Sequence, residues 1–423
     1  MSRFIVELSD PAARDATRFG PKAANQAVLG QAAVPIPDGF CLDAAAYRHQ
    51  LASLGLESLL AEAAGRDRLA ARSAIADVRI ALYDSDIVPE VAEPLLAARE
   101  ALLARCSGRL AVRSSSLMED RAGASFAGQF ESFLGLESAE DFLTAVKACW
   151  AALWSSRVLR YMEGRGKRLE DCAMAVLVQP LVEARCSGGG MSRTPDGGMM
   201  ITAAPGLGVA IAQGEVVPDR YDLTAGGELA NATAGVVDHS GHCHVHRQGA
   251  PRPESRAPCL APAEVSAIAA MMRRAEEVLG HPVEIEWAAD AAGIKLVQAR
   301  PLATGPIEVP DAIWQRHPGL RGHPSGVGWG AGRACVINCE CELARVAPGD
   351  VLVTKVAGPA LAQILPRVSA VVAELGGSTS HLASLARERG IPMVLGLAGA
   401  TTKIPDGAQV GVDGVAGIVR WMN

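Results

Sequence analysis

The stretch Gly376-Gly377-Ser378-Thr379-Ser380-His381-Leu382-Ala383-Ser384-Leu385-Ala386-Arg387-Glu388-Arg389-Gly390-Ile391-Pro392 constrains this chain more than any other. The apolar run before it, residues 368–375, reads as a buried strand. Beyond the Gly-Gly pair, Leu382, Leu385 and Ala386 fall on one helical face, and Gly390 followed by Pro392 makes a helix stop. The hydroxyls of Ser378, Thr379 and Ser380 are all candidates for the N-cap, which puts His381 at or near the first turn. A helix N-terminus offers free N–H groups and a positive partial charge, a setting that suits a phosphoryl group. The same field disfavours imidazolium and keeps the ring neutral and nucleophilic.

At 423 residues the chain has room for two or three domains with ample core. Its net charge of −6 comes with no basic block or arginine-rich arm, which argues against a nucleic-acid partner. No apolar run reaches the length of a membrane span, and Asp10 and Asp15 interrupt any signal-like layout at the start. Ten cysteines are scattered without a disulfide framework, so reduced thiols and a cytoplasmic location are expected.

Taken in order, the chain opens with Gly20-Pro21-Lys22-Ala23-Ala24-Asn25, a strand entry at 34–40 and a helix beginning at 44. Residues 56–105 have helical spacing with breaks at Gly65, Pro89 and Pro94 and read as scaffold. A short strand at 110–112 feeds Arg113-Ser114-Ser115-Ser116-Leu117-Met118-Glu119-Asp120, expected to form a loop facing phosphate and Mg²⁺. Residues 125–132 follow as a turn that could close over a nucleotide. A helix over 141–163 and a strand over 173–178, ending at Gln179-Pro180, come next. Gly188-Gly189-Gly190 reads as a flexible turn leading to a strand at 199–203. Pro205-Gly206-Leu207-Gly208-Val209 has the wrong glycine spacing for a dinucleotide fingerprint. His239, His242, His244 and His246 cluster with Cys243, but without zinc spacing a solvated hairpin face is favoured. Cys335, Cys339 and Cys341 lack a CxxC pair and read as buried thiols.

After a helix at 263–279, residues 283–288 and 295–301 read as two strands about a turn at Gly293. Alternation puts Glu284 and Glu286 on one face of the first, and Gln298 and Arg300 on one face of the second. A carboxylate, an amide oxygen and a guanidinium so placed suit Mg²⁺ bridged to nucleotide phosphates. Residues 304–324 carry Pro306, Pro310, Pro318 and Pro324 and read as an extended linker. Strands over 326–336, 351–353, 409–412 and 417–421, with a short helix at 359–365, complete a small α/β unit around His381.

The Gly-Gly-x-Thr-Ser-His core and the Ala-Arg-Glu-x-Gly-Ile-Pro tail closely resemble the phosphohistidine motif of the phosphoenolpyruvate-utilising enzymes. Lys22, Arg113, Phe126-Ala127-Gly128-Gln129, Pro218-Asp219-Arg220-Tyr221, Glu286-Trp287 and Gln298-Ala299-Arg300-Pro301 look like the nucleotide-binding region of the same family. That family comprises phosphoenolpyruvate synthase, pyruvate phosphate dikinase and rifampin phosphotransferase, and the resemblance covers almost all of residues 15–305 and 322–423. It implies an α/β multidomain chain: an ATP-grasp-like nucleotide-binding domain over 1–305, a Pro/Gly-rich linker over 306–321 and a swivelling phosphohistidine domain over 322–423. By the same resemblance Lys22 and Arg113 would neutralise ATP phosphates, Gln179 would lie at the adenine edge, Glu286 and Gln298 would hold Mg²⁺, and Arg300 would touch the transferred phosphates. ATP would be split to AMP and phosphate, with the β-phosphoryl passing through His381 to a small organic acceptor. Two departures stand out: Val209 replaces the usual acid after Gly-Leu-Gly, and residues 188–194 lack the usual apolar-Phe-Thr-Ala pattern. No barrel-sized stretch follows His381, so phosphorylation of pyruvate by this chain alone is not expected. That leaves an acceptor site on this chain, one on a separate partner protein, or a nucleotide sensor without catalysis.

Overall fold

The computed structural model describes residues 3–65, 68–106, 108–118, 132–155, 172–194, 196–208, 211, 214, 216–235, 258–302 and 317–422. The architecture is α/β throughout, and the chain divides into two units, Met1–Val182 with Lys295–Arg300, and Glu183–Ile294 with Pro301–Asn423.

In the first unit five antiparallel strands run in the order Ile5–Glu7, Phe40–Leu42, Met174–Pro180, Leu110–Ser116, Ser132–Leu136. Met174–Pro180 is buried along nearly its whole length, which is why it reads as an unbroken apolar run. Helix Ala16–Gln31 packs Phe19, Ala23 and Ala27 against Cys41 and Leu177. The helical stretch 56–105 carries Leu56–Gly65, Arg68–Asp84 and Pro89–Arg105; a helix starts at Pro89 as expected, whereas Pro94 lies inside it, in the first turns, and does not break it.

A further expectation fails in this unit. Residues 113–116 are not a loop but the second half of the strand Leu110–Ser116. Three consecutive serines can sit in a buried strand because their neighbours satisfy them: the Ser115 hydroxyl donates to the Phe19 carbonyl (2.7 Å) and accepts from the Ala23 amide (3.1 Å). This close approach needs Gly20, at φ +72°, since a Cβ there would lie 2.6 Å from the Ser115 carbonyl oxygen. Residues 125–131 of the turn expected over 125–132, Val209, the histidine group at 239–246 and the linker core at 306–316 lie outside the described residues, and Ser132 begins a strand.

The second unit holds two sheets. In one, Val283–Asp290, Cys186–Met191, Met199–Pro205, Asp219–Leu223 and Leu229–Thr233 follow each other antiparallel. Helix Pro262–Leu279, ended by Gly280 in the left-handed conformation, covers one face of it. Gly188, Gly189 and Gly190 are therefore strand residues and not a flexible turn. Their missing side chains make room: a Cβ on Gly188 would enter the Thr202 carbonyl and one on Gly190 would enter the Met272 sulfur.

The other sheet has eight strands in the order Gly319–Arg321, Ile418–Met422, Gln409–Asp413, Trp329–Ile337, Val351–Val356, Ala370–Leu375, Met393–Leu395, His323–Pro324. Its middle is parallel and both edges are antiparallel. Residues 319–324, expected in the linker, are edge strands of this sheet, and Pro324 is tolerated there because an edge position does not require its N–H. Valines and alanines from the parallel strands fill the core with Leu397, Ile404 and Trp421. Ala370–Leu375 leads through Gly376, at φ +114°, into helix His381–Glu388.

Candidate functional site

Three side chains singled out in the sequence converge in the first unit. Lys22 is only 5% exposed, and its Nζ donates to the Ser114 carbonyl at 3.0 Å. It is held there because Gly20 and Pro21 kink helix Ala16–Gln31 against the serine strand. Arg113, one residue before Ser114, donates to the Val297 carbonyl and to Gln298 Oε1 at 3.1 Å. Asn25 ties the same returning strand to the first helix through the Ala299 carbonyl (3.2 Å), and Arg300 is buried next to it in sequence. Arg113 and Gln298 thus form a hydrogen-bonded pair, and Lys22 is bonded to the backbone of the residue after Arg113. Gln179 stands apart on Met174–Pro180, buried, with its Nε2 donating to the Pro37 carbonyl at 3.0 Å.

In the second unit the three hydroxyls ahead of His381 take three separate tasks. Ser380 is the N-cap and accepts from the Ala383 amide at 3.3 Å. Ser378 Oγ donates to the Pro324 carbonyl at 2.7 Å, fixing the turn to its own sheet's edge. Thr379 Oγ1 shares a 2.7 Å hydrogen bond with Thr202 Oγ1 on the neighbouring sheet. His381, half-buried, follows as the first residue of the helix, where the sequence places it.

Register explains what Thr379 lands on. Glu286 pairs with Gly189, Gly189 with Thr202, and Thr202 with Arg220, so these residues form one row across four strands. Directly opposed residues project to the same face. Thr379 fills the gap left by Gly189, whose Cβ would lie 2.5 Å from Thr379 Cβ. The phosphohistidine-like turn therefore rests on the sheet face that carries Glu286. One row away on that face, Glu284 accepts from the Ser384 hydroxyl (2.6 and 2.7 Å) and pairs with Arg387 (2.8 Å). The sequence alternation placed Glu284 beside Glu286, but nothing local marked it as the partner of a helix about 100 residues further along the chain. Thr202 and Gly189 were missed as docking positions for the same reason.

At the other end of the row Arg220 pairs with Asp222 at 2.7 Å. Burial, with the Arg220 charge adding to it and Asp222 opposing, pushes His323 down to about 4, so this imidazole is neutral near pH 7.

The residues proposed for Mg²⁺, Glu286 and Gln298, supply a carboxylate and an amide oxygen. Such hard donors fit Mg²⁺, which keeps water and substrate phosphate in most of its positions. Among the described residues no group of three or more His, Cys, Asp or Glu converges to hold a metal. Gln298 Oε1 accepts from Arg113, which orients it and leaves a second lone pair. Among the described residues no helix is long and apolar enough to cross a membrane.

Comparison with known proteins bears on this arrangement. The family model for the pyruvate phosphate dikinase AMP/ATP-binding domain matches residues 16–316, and that for the mobile domain of PEP-utilising enzymes matches residues 346–417. The chain is 29% identical over 435 residues to the probable phosphoenolpyruvate synthase of Methanothermobacter thermautotrophicus, covering 99% of this chain and 64% of the relative. It is 30% identical over 487 residues to the phosphoenolpyruvate synthase of Pyrococcus furiosus, covering 99% of this chain and 58% of that one. The chain thus spans about three fifths of the length of these relatives. Among solved structures, an NMR structure of Enzyme I matches 19% of this chain and 33% of its own at 32% identity, with a TM-score of 0.18.

Proposed function

Because the chain belongs to the family of the pyruvate phosphate dikinase AMP/ATP-binding domain, whose model covers residues 16–316, we propose that it is an ATP-dependent, dikinase-type phosphotransferase working through His381. ATP is cleaved to AMP and phosphate, and the β-phosphoryl group passes by way of His381 to a small organic acceptor. For those products to form, the α–β and β–γ bridges of ATP both break and one water is consumed. The new bond joins the β phosphorus to a ring nitrogen of His381. The observation that carries this reading is the seating of the His381 turn, through Thr379, on the sheet row that carries Glu286.

The roles follow from the chemistry. Phosphoryl transfer needs charge neutralisation and in-line placement more than covalent assistance. Lys22 and Arg113 neutralise the phosphates, Arg300 adds a guanidinium for the transferred group, and Gln179 meets the adenine edge. Glu286 and Gln298 hold Mg²⁺, which supplies further neutralisation of the polyphosphate when bound. The Ser380 cap and the helix N-terminus keep His381 in a field that favours an incoming anion. Carrying the phosphoryl on His381 lets one chain serve two separated sites, with residues 319–422, which carry the eight-stranded sheet, as the swivelling domain. The relatives are named phosphoenolpyruvate synthases, so pyruvate is an acceptor to offer, even though this chain, which spans about three fifths of their length, is not expected to phosphorylate it alone.

The products decide the reading. Incubation with ATP and Mg²⁺, resolved by chromatography, is expected to yield AMP and phosphate, and to stop in the Lys22→Ala and His381→Asn variants. Accumulation of ADP in place of AMP would contradict it.

A further inference from the structure

Glu284 takes no part in the roles above, yet it is a buried carboxylate in direct contact with the His381 helix. Its side chain and that of Arg387 are each 5% exposed, and they meet at 2.8 Å. Ser384 completes the contact by donating to the same carboxylate and accepting from Arg387 at 3.0 Å. Arg387 is itself anchored in the turn it belongs to, donating to the Ser378 carbonyl at 2.5 Å and to the Ser325 carbonyl at 3.2 Å. A single carboxylate on strand Val283–Asp290 therefore grips the helix that begins at His381 and, through Arg387, the turn before it.

We propose that Glu284 is a positioning residue, a releasable latch that holds the His381 helix on the nucleotide-binding sheet while His381 is loaded. The proposal rests on the phosphotransferase reading and adds to it the device that fixes the loading position. The physical case lies in the choice of a charged pair. A buried carboxylate is tolerated only when paired and hydrogen-bonded, and here both requirements are met from the helix side. An apolar contact of the same area would leave a sticky patch exposed each time the domain departed. A charged pair rehydrates on both sides, and the cost of desolvating it largely offsets its attraction. Such a contact fixes register sharply without holding the domain permanently. Glu284 is assigned no contact with nucleotide in the roles above, so its removal should leave ATP affinity alone.

The test compares the wild-type chain with Glu284→Gln, Glu284→Asp and Ser384→Ala, following label from β-labelled ATP onto the protein in a single turnover. Loading is expected to slow by about 100-fold in Glu284→Gln, with the ATP concentration for half-maximal rate unchanged and most of the rate kept in Glu284→Asp. Loss of label from already phosphorylated protein into water should be unchanged or faster. Hydrogen exchange without ATP gives an independent reading: amides of His381–Glu388 should exchange faster in Glu284→Gln while those of Pro262–Leu279 do not. Equal loading in Glu284→Gln and wild type would overturn the latch, as would loading and off-loading falling together, the mark of a merely structural role. Absence of label on the wild-type chain would instead overturn the phosphotransferase reading, and the exchange result would then stand or fall by itself.

Discussion

Replacing Gly189 by alanine tests the docked geometry with one methyl group. The new Cβ would lie 2.5 Å from Thr379 Cβ and 2.7 Å from both Cγ2 and Oγ1, whereas ordinary contact begins at 3.4 Å, so about 0.9 Å must be found. Neither partner gives easily. Thr379 is β-branched and tied to Thr202, and Gly189 sits mid-strand between Thr202 and Glu286. The turn must lift, and His381 lifts with it. A displacement of about 1 Å at a reacting group costs on the order of 100-fold in rate. Overpacking inside a fixed core would cost about 1–3 kcal/mol, but a turn able to rise off the sheet relieves most of that, so the thermal midpoint should move little. Single-turnover transfer from β-labelled ATP is the assay, with calorimetric ATP binding as the control. Loading within twofold of wild type would refute the claim that Thr379 on Gly189 sets the position of His381.

Three further perturbations probe other parts of the account. Ser380→Ala removes the N-cap and should destabilise the His381 helix by about 0.5–1 kcal/mol, the low end for a cap whose hydrogen bond is 3.3 Å, seen as faster amide exchange over that helix. Arg113→Lys cannot fork between the Val297 carbonyl and Gln298 Oε1, and should weaken ATP binding about tenfold, roughly 1.4 kcal/mol, in a titration. His323, held at about 4 against 6.5 unfolded, leaves the unfolded chain binding the extra proton between those values, so the fold loses stability as pH falls through that window. The loss is at most about 3 kcal/mol. Denaturant titrations of His323→Gln should show a flatter acid slope than wild type, and an unchanged slope would count against this assignment.

Much of the molecule was legible because its signals are local. The Gly-Gly turn, the hydroxyl cap, the helix over His381–Glu388 and its stop at Gly390 all follow from neighbouring residues. So do the scaffold helices of the first unit and the strand carrying Glu284 and Glu286. What local pattern could not supply was partnership at a distance. Ser114 and Ser115 look like loop residues until helix Ala16–Gln31, some 92 positions away, arrives to satisfy them. Three glycines in succession look like a hinge, yet Gly189 and its neighbours are strand positions kept bare so that Thr379, Thr202 and Met272 can approach. Edge pairing likewise turned residues 319–324 from apparent linker into strand. Arg113 and Gln298 stand out by residue type and pattern and Lys22 only by the family resemblance, while the bonds from Lys22 to Ser114 and from Arg113 to Val297 and Gln298 appear only in three dimensions.

The central claim is that His381 carries the β-phosphoryl of ATP. ATP labelled separately at the β and γ positions, offered with Mg²⁺ to the wild-type chain and to His381→Asn, tests it most directly. The account predicts acid-labile protein label from the β position alone, absent in the variant. Label from the γ position, or β label that persists in His381→Asn, would contradict it.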